Sequence, residues 1–285
     1  MTDEILAAIF DEVARTAADV RAELPGARSP RAGTNPSGER RFAADARADE
    51  LFADRLTSLD GVGAYASEER SAVLECGDGY SLAVDPLDGS SNLTSNNPVG
   101  TIVGVYDAHL PAPGRRLRGA CYVLYGPVTT MTAAAGGTVE TYAIHDGDRR
   151  LLEGDVTIPE KPTVYGFGGR TPEWPSAFES FSRTVETELK CRYGGALVAD
   201  VHQVLSHGGI FAYPGLVSRP EGKLRSLFEA SPMAYVVEKA GGRSSDGSGS
   251  LLDVEPDGLH DRVPVHVGNG PLIERLETSL TEVRA

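Results

Sequence analysis

Val84 to Asn92 reads VDPLDGSSN, two carboxylates three residues apart followed by small hydrogen-bonding residues. Upstream, Tyr80, Leu82 and Val84 alternate with Ser81 and Ala83 behind the turn-forming Gly77-Asp78-Gly79, a pattern that predicts a strand. Pro86 keeps the preceding residue extended, so Asp85 is expected at the strand's end, with Leu87-Asp88-Gly89 turning the chain. Gly89-Ser90-Ser91-Asn92 has the composition of a helix start, where unpaired backbone N–H groups can face an anion. Hard oxygen ligands beside an anion cradle suit a Mg²⁺-bound phosphate. The alternative for this stretch alone is an acidic surface turn.

Other phosphate and metal chemistries match less well. An EF-hand counted from Asp85 needs a glutamate where Asn96 stands. No G-x-x-x-x-G-K-S/T run occurs, and the six histidines never form H-E-x-x-H, which argues against a P-loop nucleotidase and against zinc.

The elements that must carry these groups belong to a chain of 285 residues, enough for one large domain or two modest ones. Its formal net charge of −14 disfavours nucleic acid and anionic membranes as partners. No apolar stretch reaches transmembrane length, and MTDEILAAIF lacks a basic, apolar, cleavable pattern. Cys76, Cys121 and Cys191 are odd in number and widely spaced, as expected of free thiols in a reducing cytoplasm. Only four lysines (Lys161, Lys190, Lys223, Lys239) stand among the 27 basic residues, so an anionic substrate must rely on metal ions and a few placed cations.

Ile5, Leu6, Ile9, Phe10, Val13, Ala17 and Val20 follow helical spacing, predicting an amphipathic helix over the first 24 residues. A polar loop from Pro25 to Arg40 and a helix from Ala43 to Leu59 are expected next, with Leu51, Phe52, Leu56 and Leu59 facing inward. Strand patterns dominate from Gly63 to His145, and helices and strands alternate after Pro159. This order predicts stacked helix and sheet layers, an α/β (α+β) sandwich, in two sub-domains, 1–158 and 159–285. Ala196–His207 reads as a helix closed by Gly208-Gly209, Ile210–Tyr213 as a buried strand, and Ser231-Pro232 as an N-cap with proline at the first helical position. If 223–228 is extended, Lys223 and Arg225 share one face.

Taken together, SEE at 67–69, DPLDGSSN at 85–92, RYGGALVADVHQVLSHGGIFAYP at 192–214 and GKLRSLFEASPMAYVVEKAGG at 222–242 resemble class I fructose-1,6-bisphosphatases, within the lithium-sensitive sugar and inositol phosphatase superfamily. PGRRLRGACYVLYG at 113–126 adds weaker support. The resemblance implies Mg²⁺-dependent hydrolysis of the 1-phosphate of fructose 1,6-bisphosphate in gluconeogenesis, with two or three ions per site and Mn²⁺ as an alternative. It implies metal coordination by Glu68, Glu69, Asp85, Asp88, Glu229 and the Leu87 carbonyl. Without metal, carboxylates so close would repel one another and some would take up protons. Asp45, six residues after Glu39, matches an acidic residue that positions or deprotonates the attacking water, and Glu69 is counted with it as catalytic.

For substrate, the resemblance implies Gly89, Ser90, Ser91 and Asn92 around the scissile phosphate, and Lys223 and Arg225 neutralising phosphate and touching the sugar. Tyr193 and Tyr213 correspond to tyrosines that bind the distal 6-phosphate, and Arg192 to an arginine given by a neighbouring subunit, so a homo-oligomer, dimer or tetramer, is expected.

Two departures stand out. Where the family has Y-S-x-N-E-G-Y, this chain has YGFGGRT at 165–171, with Gly168 at the asparagine position and Thr171 at the second tyrosine; Arg170 is expected to substitute. Gly79 replaces the lysine before Tyr80 and the nucleotide-binding turn is missing, so AMP inhibition is expected to be weak or absent. The rival readings are a broader sugar-bisphosphate or inositol phosphatase and a catalytically silent sugar-phosphate-binding module.

Overall fold

The computed structural model describes residues 2–26, 30–34 and 40–282. Helix α1, Thr2–Glu23, buries the expected apolar stripe (Leu6, Ile9, Phe10, Val13, Ala17, Val20). The segment expected as a loop differs. Strands β1, Pro30–Thr34, and β2, Arg40–Phe42, pair antiparallel, with Pro30 opposite Phe42. Pairing of this kind draws on main-chain groups alone, so a polar, Pro/Gly-rich composition does not reveal it. Helix α2, Ala43–Leu56, stops short of Leu59 because Ser58 and Leu59 donate to carbonyls three residues back, tightening the last turn.

An eight-stranded sheet follows, built from β3 (Val62–Ser67), β4 (Leu74–Glu75), β5 (Tyr80–Asp88), β6 (Val99–Tyr106), β7 (Leu117–Tyr125), β8 (Thr129–Ala135), β9 (Thr138–His145) and β10 (Asp148–Glu153). Its order is β10-β9-β8-β7-β6-β5-β3-β4, antiparallel except for β3 beside β5. A smaller five-stranded sheet has the order β12 (Lys190–Cys191), β11 (Val164–Phe167), β13 (Gly209–Tyr213), β17 (Val265–Gly268) and β15 (Arg243–Ser245). A two-residue pair joins β14 (Leu224–Arg225) to β16 (Arg262–Val263). The remaining helices are α3 (Ser176–Glu188), α4 (Leu197–His207), α5 (Ser231–Lys239) and α6 (Gly270–Glu282).

Alternation along the strands sorts their side chains into separate cores. On β6, Val103 and Val105 join Leu82, Val84 and Cys121 beneath α1 and α2. Ile102 points the other way, into the core shared with Val198 and Val201 of α4, Met233 and Val236 of α5, and Phe211 and Val265 of the small sheet. The opposite face of that sheet meets Phe178, Phe181, Ile273 and Leu276 of α3 and α6. The result is five stacked layers, helices–sheet–helices–sheet–helices, in agreement with the layered α/β expectation.

Two local expectations are corrected. The strand bearing the aspartates runs on to Asp88, and the chain turns only at Gly89. Residues 226–230 are not extended. They form a π-helical turn that runs directly into α5, so Ser231 has helical dihedral angles and is no N-cap. A π turn places an extra residue in the helix and is common beside functional sites; here it carries Glu229.

Candidate active site

A cleft of about 480 Å³ lies where the end of β5, the turn after β3, the π turn and the loop before α4 meet. Strand parity explains how Asp85 and Asp88 both reach it. Residues three apart on a regular strand face opposite sides. Between Asp85↔Ile102 and Asp88↔Gly100, however, β5 spends one more residue than β6, a bulge that reverses the parity. Pro86, which has no N–H to pair, sits inside it, and the Leu87 N–H turns to Asp85 Oδ1 at 3.0 Å. Gly89 then adopts φ 72°, and a Cβ there would lie 2.4 Å from that of Ala196. The bend needs glycine for its dihedral angle and for its space. A short 3₁₀ turn, Ser90–Thr94, follows in place of a regular helix start.

Glu68, Asp85 and Glu229 are buried and converge, with one carboxylate oxygen from each within 4.8 Å of the others. Glu68 is set by its N–H, which continues the β3–β5 pairing to Val84 O at 3.0 Å. The same turn is anchored from behind by Arg70, whose Nε donates to buried Asp49 at 2.8 Å, while Asp49 also accepts from the Tyr65 hydroxyl at 3.1 Å. Burial, then the charges of Glu68, Asp88 and Glu229, hold the Asp85 carboxyl well above the usual carboxylate range, against the opposing charge of Arg225. Asp88 is pushed up to about 7 by burial and by Glu229, although N–H groups of Val198 and Leu197 favour its charged form. One Asp88 oxygen accepts from Val198 N at 2.7 Å, so Asp88 caps α4, whose own N-cap residue, Ala196, has no side-chain acceptor.

Crowded, protonation-prone oxygen donors are what the carboxylates of a divalent-cation site become when no cation balances them. All-oxygen, acidic chemistry fits a hard ion such as Mg²⁺ and gives no thiolate or imidazole for a softer one.

Glu69, Asp45, Leu87, Ser90 and Ser91 also line the cleft, with Tyr193, Tyr213, Lys223 and Arg225 across it. Asp45 is buried, which sets aside the reading of a solvated helix face. Glu39 lies outside the described residues.

Family models match two stretches of the chain. The fructose-1-6-bisphosphatase N-terminal domain matches residues 4–149 and the C-terminal domain residues 158–281. The class 1 fructose-1,6-bisphosphatase of Natronomonas pharaonis is 56% identical over 95% of this chain and 97% of its own. That of Halobacterium salinarum is 54% identical over 98% of each. The chain belongs to the class 1 fructose-1,6-bisphosphatase family. Leishmania major fructose-1,6-bisphosphatase in its holo form superposes with a TM-score of 0.92 at 27% identity, covering 98% of this chain and 94% of the other. The apo form of that enzyme scores 0.85.

Within this family frame, four expected substrate residues, Asn92, Arg225, Arg192 and Arg170, stand differently from the sequence reading. The Asn92 amide donates to the Pro98 and Gly194 carbonyls, both at 2.9 Å, so it fastens the loop before α4 and does not line the cleft. Arg225 is buried between carboxylates, 3.0 Å from Glu68 and 3.7 Å from Glu229, because so much buried negative charge needs a counter-charge. Lys223 is exposed at the rim, so the two cations do not present equally. Arg192 lies off the cleft, 3.4 Å from the Gln203 side chain. Arg170 is 85% exposed and ion-paired to Glu173 at 2.5 Å.

Asp200 was missed. It lines the cleft and accepts from the N–H groups of Gly194 and Gly195 at 2.5 and 3.1 Å, while burial pushes its carboxyl up to about 6. A signal existed, an acid inside the apolar stripe Leu197, Val198, Val201, Val204 of α4. A buried carboxylate must find donors.

Proposed function

We propose that this cleft hydrolyses the 1-phosphate of fructose 1,6-bisphosphate, releasing fructose 6-phosphate and phosphate in gluconeogenesis. The observation that carries the reading is the convergence of buried Glu68, Asp85 and Glu229 in a cleft whose opposite wall holds Tyr213 and Lys223. The family is metal-dependent, and Mg²⁺, two or three ions per site, is the proposed cofactor, with Mn²⁺ an alternative. Glu68, Asp85 and Glu229 would hold it, with Glu69, Asp88 and the Leu87 carbonyl completing the set.

When bound, such ions lower the pKa of a coordinated water and offset charge on the attacking and leaving oxygens. The chain's own groups do the rest. Asp45 and Glu69 orient the attacking water and accept its proton. N–H groups of Gly89 and Ser90, with the Ser90 and Ser91 hydroxyls beside them, donate to the scissile phosphate. Lys223 neutralises phosphate charge, and Tyr193 and Tyr213 flank the sugar's far end. Arg225 acts by holding Glu68 and Glu229 in place. No covalent phosphoenzyme forms, because the D-x-D-x-T arrangement of aspartyl phosphatases is missing from DPLD.

Arg192, turned away from its own cleft, is proposed to serve a neighbouring subunit in a homo-oligomer. Sub-domains 1–158 and 159–285 and a cytoplasmic location complete the proposal. Among the described residues no helix is long and apolar enough to cross a membrane, and all three cysteines are free.

The test is phosphate release, with and without Mg²⁺, from fructose 1,6-bisphosphate, fructose 6-phosphate, sedoheptulose bisphosphate and inositol 1-phosphate. The expected outcome is Mg²⁺-dependent release with strong preference for fructose 1,6-bisphosphate, abolished in Glu229→Gln. Comparable rates on the monophosphates would replace this reading with a generalist phosphatase, and no release would leave a silent binding module.

A further inference from the structure

Beside the cleft lies a second cavity, of about 400 Å³, bordered by Arg170, Glu173, Ser218 and Arg219. Tyr213 and Lys223 line both cavities, so the two are contiguous through those side chains. Three cations against one carboxylate give this cavity a formal charge of +2, within a chain whose net charge is −14.

The carboxylate is already spent. Glu173 Oε1 takes the Arg170 guanidinium at 2.5 Å and Oε2 the Ser218 hydroxyl at 2.8 Å. The Val217 N–H adds a bond to the Glu173 carbonyl at 2.8 Å, which ties the loop after β13 to the turn after β11. Leu216 and Arg219 close that loop through two reciprocal backbone hydrogen bonds, at 3.0 and 2.9 Å. Arg219 is thus held by its main chain, half-buried, while its guanidinium has no hydrogen bond or ion pair among the described residues. Lys223 has no carboxylate partner either, and its ammonium lies 5.6 Å over the Tyr213 ring. Most other guanidiniums here meet a carboxylate, as at Arg47, Arg70, Arg115, Arg118 and Arg275. Two uncommitted cations facing one cavity beside the proposed reaction centre match a dianion attached to the substrate.

We propose that Arg219 is the specificity-determining residue that receives the substrate's second phosphate, with Lys223 between the two phosphates. This rests on the reading of the cleft given above. Arg170, neutralised by Glu173, serves to position the loop. The fork of Arg219 can give a phosphate two parallel N–H bonds, and Lys223 adds a point charge.

The experiment compares wild type, Arg219→Gln and Arg219→Lys, with Mg²⁺, on fructose 1,6-bisphosphate and fructose 1-phosphate, together with calorimetric binding of fructose 6-phosphate. In Arg219→Gln, kcat/KM for the bisphosphate should fall by about tenfold or more relative to the monophosphate, chiefly through KM. Fructose 6-phosphate binding should weaken by a similar factor, and Arg219→Lys should recover part of both losses. An equal change on both substrates, or unaltered fructose 6-phosphate binding, overturns the assignment. If wild type released no phosphate from any substrate, the hydrolase reading would fall, while the binding comparison would still decide for or against Arg219.

Discussion

Lowering the pH from about 7 to about 4.5 should weaken the folded state through one imidazole. His266 lies on β17, opposite Ser245 of β15, fully buried with its ring against Phe178. Its Nδ1 is 2.9 Å from the Ser245 carbonyl oxygen. A carbonyl only accepts, so Nδ1 carries the proton and the lone pair belongs to Nε2, which has no hydrogen-bond partner among the described residues. Protonating Nε2 would place an unsolvated charge in the buried interior, beside the Phe178 ring. Burial accordingly holds the imidazole down at about 4, from an ordinary value of 6.5.

Between those two values the unfolded chain binds a proton that the folded chain refuses, so stability is lost as pH falls through this window. At ~1.4 kcal/mol per pKa unit, the loss reaches about 2–3 kcal/mol by about pH 4.5. Asp88 and Asp200, held up at about 7 and about 6, work in the opposite sense: folded, they bind protons more readily than unfolded, and they favour folding as pH falls. The whole-protein profile therefore mixes signs, and a difference measurement is needed. Urea unfolding of wild type and His266→Gln at both pH values, at one salt concentration and without metal, isolates the imidazole. The advantage of wild type over the variant should shrink by about 2–3 kcal/mol on acidification. A pH-independent difference would refute the assignment of a neutral, buried imidazole. The site is concerned too, since His266 pairs across to Ala212 on β13, directly before Tyr213.

Asp49→Ala removes the acceptor of both Arg70 and Tyr65; unfolding should show a loss of about 2–4 kcal/mol, and calorimetry a weaker Mg²⁺ affinity because Arg70 steadies Glu68 and Glu69. Gly168→Asn restores the family's residue, yet its Cβ would stand 2.1 Å from the Tyr213 ring; KM for the bisphosphate should rise and Tm fall, whereas an unchanged KM would show that the ring yields freely. Gly79 has φ 138°, and a Cβ there would lie 2.0 Å from the Gly61 carbonyl oxygen, so the family's lysine cannot occupy this backbone; AMP inhibition should be weak, and a submicromolar inhibition constant would contradict that.

What could be read from sequence divides along a physical line. Side-chain chemistry and periodicity are local, and α1, the strands from Tyr80 to His145 and the acidic set around DPLD follow from them. Main-chain detail is less visible. DPLD alone leaves Asp85 and Asp88 on opposite faces, and only the pairing of β5 with β6 shows the extra residue that brings them together. The π turn that carries Glu229 is equally silent, because Ser231-Pro232 reads as the start of a helix and gives no sign that one already runs through residues 226–230. Partnership is the least visible property of all. Arg170 and Arg219 are the same residue type in loops of similar composition, and sequence reasoning chose Arg170 for its closeness to the altered YGFGGRT segment. In space the choice inverts, since Glu173 neutralises Arg170 and leaves Arg219 uncommitted. The capacity of a charged side chain to bind substrate depends on what it does not already hold, and that is fixed by elements distant in the chain.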